Sequence, residues 1–259
     1  MRLVDRLRYQ RTTVLLLQKL GFLANRLLEV SSLSRISYVD RIWVSIYFVY
    51  KAKFEKNTLL WIKQNKELLK FTLDVGGGFG FYTLFIAELS EIYQVDCFEP
   101  DHINFNRIQR QIKSKKLKNI RTHNIAVTEK ISTVFLKRDL FNPANHSISF
   151  SGELDSEIKG ISLDEFCRQY GVIPTFVKID VQGHEQFVLQ GSIQLLSVVK
   201  PVILIEFDVQ SQKENSQNCF NILKKNKFVG HIINSDGSLF EVNELPDNKH
   251  YFDLIFLPE

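Results

Sequence analysis

From Phe71 onward the chain alternates short apolar runs with longer stretches in which apolar residues recur every three or four positions. The runs at 71–75, 93–98, 120–124, 175–179 and 202–207 read as strands buried on both faces, and the stretches at 81–88, 102–115, 163–170, 184–196 and 215–227 as helices covering them. Strand and helix in alternation predict a mostly parallel sheet in an α/β domain. Two further runs, 228–233 and 251–257, flank the turn signal Asp236-Gly237 and read as an antiparallel pair completing seven strands. Residues 130–160 break the alternation and are expected to form a hairpin or a loop over the site.

Upstream of Phe71 the period is helical. Leu3, Leu7, Val14, Leu17 and Leu20 share a spacing that predicts a basic amphipathic helix over 1–30, with Arg2, Arg6, Arg8, Arg11, Lys19 and Arg26 between them. A second helix is predicted over 58–70, and 39–54 reads as helix or strand. The chain therefore divides into a mainly helical N-terminal extension, 1–70, and an α/β domain, 71–259.

Composition changes this picture little: 259 residues with 44% hydrophobic and 24% charged exclude a disordered chain or a disulfide miniprotein. Charge changes it more. Lys and Arg outnumber Asp and Glu 14 to 5 in the first 70 residues and are outnumbered 19 to 24 thereafter. The extension is expected either to meet an anionic surface, such as a membrane, or to carry a solvated basic face. Cys97, Cys167 and Cys219 are scattered and lack metal-ligand spacing. No apolar stretch reaches the roughly 18 to 20 residues that cross a bilayer, and Val14-Leu15-Leu16-Leu17 is too short for a secretion signal, so the expected location is cytoplasmic.

The strongest chemical signal is Asp74-Val75-Gly76-Gly77-Gly78-Phe79-Gly80, an apolar strand running through four glycines into a helix. Such a turn lets backbone N–H groups approach a ligand at the helix N-terminus. The next strand ends in Phe98-Glu99-Pro100, which places a carboxylate about 20 residues after the loop, where a ribose diol is recognised. NAD and S-adenosylmethionine both carry that ribose. Phe81 stands where the dinucleotide fingerprint wants its third glycine, and the DxGxxxG spacing from Asp74 to Gly80, with an acid beside the loop, favours the sulfonium cofactor.

Further motifs follow in order: Asn124-Ile125-Ala126, Leu163-Asp164, Lys178-Ile179-Asp180-Val181-Gln182-Gly183-His184-Glu185 and Ile205-Glu206-Phe207. With the glycine loop and Phe98-Glu99-Pro100, they resemble the FkbM-type S-adenosylmethionine-dependent methyltransferases over roughly half of the chain. The resemblance implies a Rossmann-like class I methyltransferase fold and an alcohol acceptor on a glycan, sugar or small molecule. It implies cofactor contacts from Asp74, Gly76, Gly78, Gly80, Glu99 and Asn124. Two positions depart from the family pattern: Gly77-Gly78 replace Ala-Asn, and Gln182 replaces Glu. They raise the alternative of a catalytically impaired cofactor-binding or interaction module of the same fold.

In an open α/β sheet ligands gather outside the carboxyl ends of the strands, which places Asp180 opposite the transferred methyl group. Methyl transfer to an alcohol needs alignment and a proton acceptor. His184 has the ordinary pKa for that task, with Asp180 or Glu185 orienting it or acting in its place, and Glu206 is expected beside Asp180. Capping of the following helix is the competing role for Asp180 and Glu185. The same four side chains were weighed as ligands for a hard cation, and no metal is expected. Nucleic acid is not expected as a partner, the chain lacking a DPPY or NPPY motif. A homodimer contact through the extension is left open.

Overall fold

The computed structural model describes residues 48–49, 51–137, 147–149, 156–246 and 251–259. The expected basic helix over 1–30 and most of 39–54 lie outside them, as do 138–146 and 150–155 of the expected loop. The chain divides into two compact units, Met1–Glu55 with Arg138–His146 and Lys56–Lys137 with Ser147–Glu259; every element below belongs to the second.

That unit is built on a sheet of eight strands. Strands β1 (Phe71–Val75), β2 (Gln94–Phe98), β3 (Ile120–His123), β8 (Phe176–Ile179) and β9 (Val202–Asp208) are mutually parallel. Beyond β9 lie β12 (Tyr251–Pro258), β10 (Phe228–Ile233) and β11 (Leu239–Val242), each antiparallel to the strand before it, so the order reads 11-10-12-9-8-1-2-3. The expected antiparallel pair of 228–233 and 251–257 is present, but the Asp236-Gly237 turn does not join them. Gly237 has φ +83, and the turn folds β10 back onto β11, an eighth strand that the seven-strand reading lacked. Its burial is slight, which is why its apolar signal is short.

The region between β3 and β8 is more regular than a loop. β4 (Ala126–Val127), β5 (Ser132–Lys137), β6 (Ser147–Ser149) and β7 (Ser156–Ile161) form a separate four-stranded sheet in the order 4-7-5-6. The expected hairpin corresponds to the antiparallel β5–β7 pairing.

Alternation along the strands sends side chains to two cores. Leu73, Val75, Phe98, Val177, Ile179, Ile203 and Ile205 pack on one face with Phe166 of α4 (Leu163–Tyr170), Val188 of α5 (Glu185–Gln190) and Phe220 of α6 (Lys213–Lys225). Val95, Phe176 and Leu204 face the other way, onto Trp61 of α1 (Lys56–Gln64) and Tyr82 and Ile86 of α2 (Phe81–Leu89). Each such buried side chain stabilises the fold by about 2 kcal/mol. The remaining helix, α3 (His102–Lys115), starts on Asp101, whose carboxylate accepts the N–H groups of Ile103 and Asn104 at 2.9 Å each. The helix expected over 184–196 stops at Gln190 and resumes as a wide turn, Leu195–Val199. At Gly191 a Cβ would lie 2.3 Å from the carbonyl oxygen of Thr128, so the chain bends where it touches a neighbouring segment.

Asn119, just before β3, is buried and donates its amide to the carbonyls of Ala87, Ser90 and Tyr93. Asn119→Ala leaves those acceptors unpaired and is expected to cost about 2 kcal/mol. Urea unfolding should show a lower midpoint at an unchanged slope.

Candidate active site

The strand order reverses between β1 and β8, since each leads to neighbours on opposite sides. That reversal opens a crevice at the carboxyl ends of the strands. Two loops meet there. The Asp180 N–H donates to the Val75 carbonyl at 3.0 Å, and a Cβ on Gly76 would fall 1.9 Å from the Asp180 carbonyl oxygen. Only glycine allows this approach, and its φ of +86 independently favours glycine.

On the β1 side, Gly76 and Gly77 donate their N–H groups to the Phe98 carbonyl, at 3.0 and 2.9 Å, and Gly80 starts α2 in the left-handed conformation. Gly78 donates to Glu99 Oε2 at 2.6 Å, while the Asp101 N–H reaches Oε1 at 2.8 Å. Glu99 is thus fixed between the glycine loop and the start of α3. Burial pushes its carboxyl up to about 8, and the nearby Asp101 charge adds to the rise, while both N–H donors oppose it. Asp74 is fully buried below the loop. Thr83 of α2 donates its hydroxyl to Oδ2, and Oδ1 has no hydrogen-bond partner among the described residues. Burial raises the Asp74 pKa, and the Lys178 charge and the Thr83 hydrogen bond pull it back.

Asn124 is placed behind this arrangement. Its amide nitrogen donates to the carbonyls of Glu99 and Pro100 at 2.8 and 2.9 Å, which shapes the turn carrying Glu99 and gives that nitrogen two partners other than an adenine ring. Gly78 has φ +55 and open space where a Cβ would go. Asparagine is among the few side-chain-bearing residues that populate that backbone region, so the exchange of Asn for Gly leaves the loop conformation accessible.

On the β8 side, Lys178 is buried where the strand period calls for an apolar residue. Its Nζ lies 4.9 Å from the Tyr82 ring centroid and donates to Asp180 Oδ2 at 3.0 Å. The other oxygen, Oδ1, accepts from Gln182 Nε2 at 2.7 Å, and the same nitrogen donates to Glu206 Oε2 at 3.1 Å. One amide therefore joins two carboxylates from adjacent strands, and a glutamate there would add a third negative charge. Neither Lys178 nor Gln182 was among the expected site residues. The signal lay in a lysine interrupting an apolar strand and in the alternation that puts Lys178 and Asp180 on one face.

Two of the expected catalytic groups make structural contacts. Glu185 accepts the N–H groups of Val181 and Gly183 and the Asn215 amide, so it clamps the turn to the start of α6 in the capping role. His184 is buried with its ring 4.5 Å from that of Phe187, and burial holds its pKa down at about 4. At neutral pH it is an uncharged packed ring, and the ordinary pKa that suggested it as the base is not retained. Beside Gln182 and Glu206 a narrow cleft of about 10 Å³, room for about one water, is lined also by Asp208, Gln212, Asn215 and Tyr251.

Residues 53–234 match the methyltransferase FkbM domain, and the chain belongs to that family. Among solved structures, an FkbM methyltransferase from Methylobacillus flagellatus KT superposes with a TM-score of 0.51 at 16% identity, over 73% of this chain and 44% of that one. This chain thus spans less than half the length of that relative, and the likeness is one of fold. Weaker likenesses are to precorrin-6y C5,15-methyltransferase from Geobacter metallireducens GS-15 (TM-score 0.46, 11% identity, 79% and 87% of the two chains) and to a SAM-dependent O-methyltransferase from Thermotoga maritima (TM-score 0.43, 9% identity, 78% and 64%). No curated protein matches the chain.

The residues present fit S-adenosylmethionine, the cofactor that membership of a methyltransferase family points to. Asp74 Oδ1 is a buried acceptor without a hydrogen-bond partner among the described residues, Gly78 leaves open space at the loop, and Glu99 follows the end of the second strand. Glu99 also generates a pH test on the cofactor-free protein. Its folded pKa of about 8 exceeds the ordinary 4.5, so the folded state holds an extra proton between those values and this contribution to stability falls as pH rises. His184, lowered from 6.5, acts in the opposite sense and below that pH. Thermal midpoints measured between pH 6.5 and 8 should fall in the wild type, and more shallowly in Glu99→Gln. Equal slopes would show that Glu99 is already ionised.

Proposed function

We propose that the chain is an S-adenosylmethionine-dependent O-methyltransferase acting on a hydroxyl of a glycan, sugar or small-molecule acceptor. The observation carrying this reading is the Asp180–Gln182–Glu206 array at the carboxyl ends of β8 and β9, across the crevice from Glu99 and the glycine loop. The cofactor supplies an electrophilic methyl group on a sulfonium. The protein must align an acceptor oxygen with it and take the proton released as the new C–O bond replaces the C–S bond.

Asp180 is held at both oxygens, by Lys178 and Gln182, as a fixed acceptor that orients the hydroxyl. Glu206 faces the cleft and is the carboxylate assigned to take the proton. A carboxylate suits an alcohol whose proton leaves as the bond forms, because full deprotonation beforehand is not required. The two departures from the family pattern are compatible with turnover. Gly78 keeps a backbone conformation that asparagine also adopts, and Gln182 replaces a repulsive charge by a donor to both neighbours.

Titration calorimetry with S-adenosylhomocysteine should detect binding that weakens at least about tenfold in Glu99→Ala, as the loss of a charge-assisted pair of hydrogen bonds implies. Transfer of labelled methyl groups into hydroxyl-bearing extracts should give a base-stable ether, and Glu206→Gln should lower the rate by about 10² or more while leaving that affinity unchanged. A base-labile ester or a methylated amine as product would contradict O-methylation. Unchanged turnover in Glu206→Gln would remove the proposed base.

A further inference from the structure

At the opposite end of the sheet, where the parallel strands begin, the surface has a different chemistry. Ile92, Phe71, Ile173 and Val198 lead into β2, β1, β8 and β9, and their exposures are 75%, 47%, 70% and 79%. These four strands are consecutive in the sheet, and hydrogen bonds tie their entries together: Gln94 N–H to the Lys70 carbonyl, Thr175 N–H to that of Phe71 and Val202 N–H to that of Thr175. The four strand entries that these residues flank therefore stand side by side across one end of the sheet, over roughly 15 Å at the usual strand spacing. Single exposed aliphatics are ordinary, but a row of protruding ones is a surface feature.

Lysines surround this row. Lys70, Lys116, Lys118, Lys200 and Lys227 occupy the turns into β1, β3, β9 and β10, against Glu91 and Glu259. Three of them stand where glycine would be favoured by the backbone. Lys116, Lys200 and Lys227 have φ of +56, +55 and +60, and together with Gln182 they are the non-glycine residues of positive φ among those described. Turns after helices commonly carry glycine at such positions. A long cationic side chain at three of them, all on one edge, is costlier to the fold than glycine and gives the edge its charge.

We propose that this edge docks on an anionic lipid surface, with Ile92, Phe71, Ile173 and Val198 entering the headgroup region and the lysines pairing with lipid phosphates. Charge complementarity selects this occupant. A second copy of the same edge would bring like charges together, and aliphatic side chains neither stack on bases nor bond phosphates, which disfavours nucleic acid. Shallow insertion of apolar groups flanked by lysines is the pattern of interfacial binding. Docked in this way, the carboxyl ends of the strands face away from the bilayer, and the crevice stays open to acceptors in solution.

The test uses the full chain and sedimentation with vesicles of phosphatidylcholine alone or mixed with phosphatidylglycerol. Binding should require phosphatidylglycerol and weaken with salt. The triple variant Ile92→Ser, Ile173→Ser, Val198→Ser should bind at least about tenfold more weakly. Lys116→Gly, Lys200→Gly, Lys227→Gly should also weaken binding while keeping or raising the thermal midpoint, a combination that a purely structural role for the lysines would not give. Fluorescence of Ile92→Trp, taken as the difference from wild type, should shift to the blue on binding and be quenched by brominated lipid. The proposal is overturned if the wild type does not bind, if both triple variants bind like the wild type, or if reversing Arg2, Arg6 and Arg8 abolishes binding while the edge variants leave it intact. Light scattering that shows a dimer lost in the edge variants, with vesicle binding unaffected, would assign the face to a second copy instead.

Discussion

The contact of the two loops after β1 and β8 is the constraint on which the site is built. Gly76 lies so close to the Asp180 backbone that no side chain fits between them, and the Asp180 N–H is fixed on the Val75 carbonyl. Because the strand order reverses at this point, the contact holds two different sets of groups across one crevice: Asp74, Gly78 and Glu99, the proposed nucleoside side, and Asp180, Gln182 and Glu206, the proposed acceptor side.

Both sides are rich in buried or half-buried charge, and each charge is handled differently. Glu99 keeps two N–H donors yet is buried enough to rise to about 8, so a ligand that donates hydrogen bonds is positioned to draw it back into the ionised form. Asp180 is compensated by a cation and an amide. Burial raises the pKa of Glu185, the backbone N–H groups it accepts oppose the rise, and the side chain becomes part of the turn. Three acids that follow β2 and β8 are therefore held by three different sets of partners.

This explains how much of the molecule was legible in its sequence. Strands β1, β8 and β9 are apolar-rich runs, interrupted at Thr72, Asp74 and Lys178, because both faces are covered, and α3 and α4 were read to the residue because Asp101 and Ser162 cap them and their periods are clean. β11 was missed because a half-exposed edge strand carries little apolar signal, and the small second sheet because its strands are short. Within the site, strand ends located Glu99, Asp180 and Glu206, since a carboxylate after an apolar run has nowhere to go but the rim. For His184 the sequence offered only the ordinary pKa, a property of exposed histidine, and did not say that Phe187 would pack against its ring. The Gln182 bridge was invisible for the converse reason, because it depends on a left-handed backbone and on a partner 24 residues away.

A crystal structure with S-adenosylhomocysteine tests the central claim most directly. The account predicts both ribose hydroxyls on the Glu99 carboxylate, the sulfur in the crevice between the Gly76 and Asp180 loops, and Glu206 facing the side from which an acceptor oxygen would approach. A nucleoside bound away from Glu99, or a sulfur turned from Asp180 and Glu206, would contradict it.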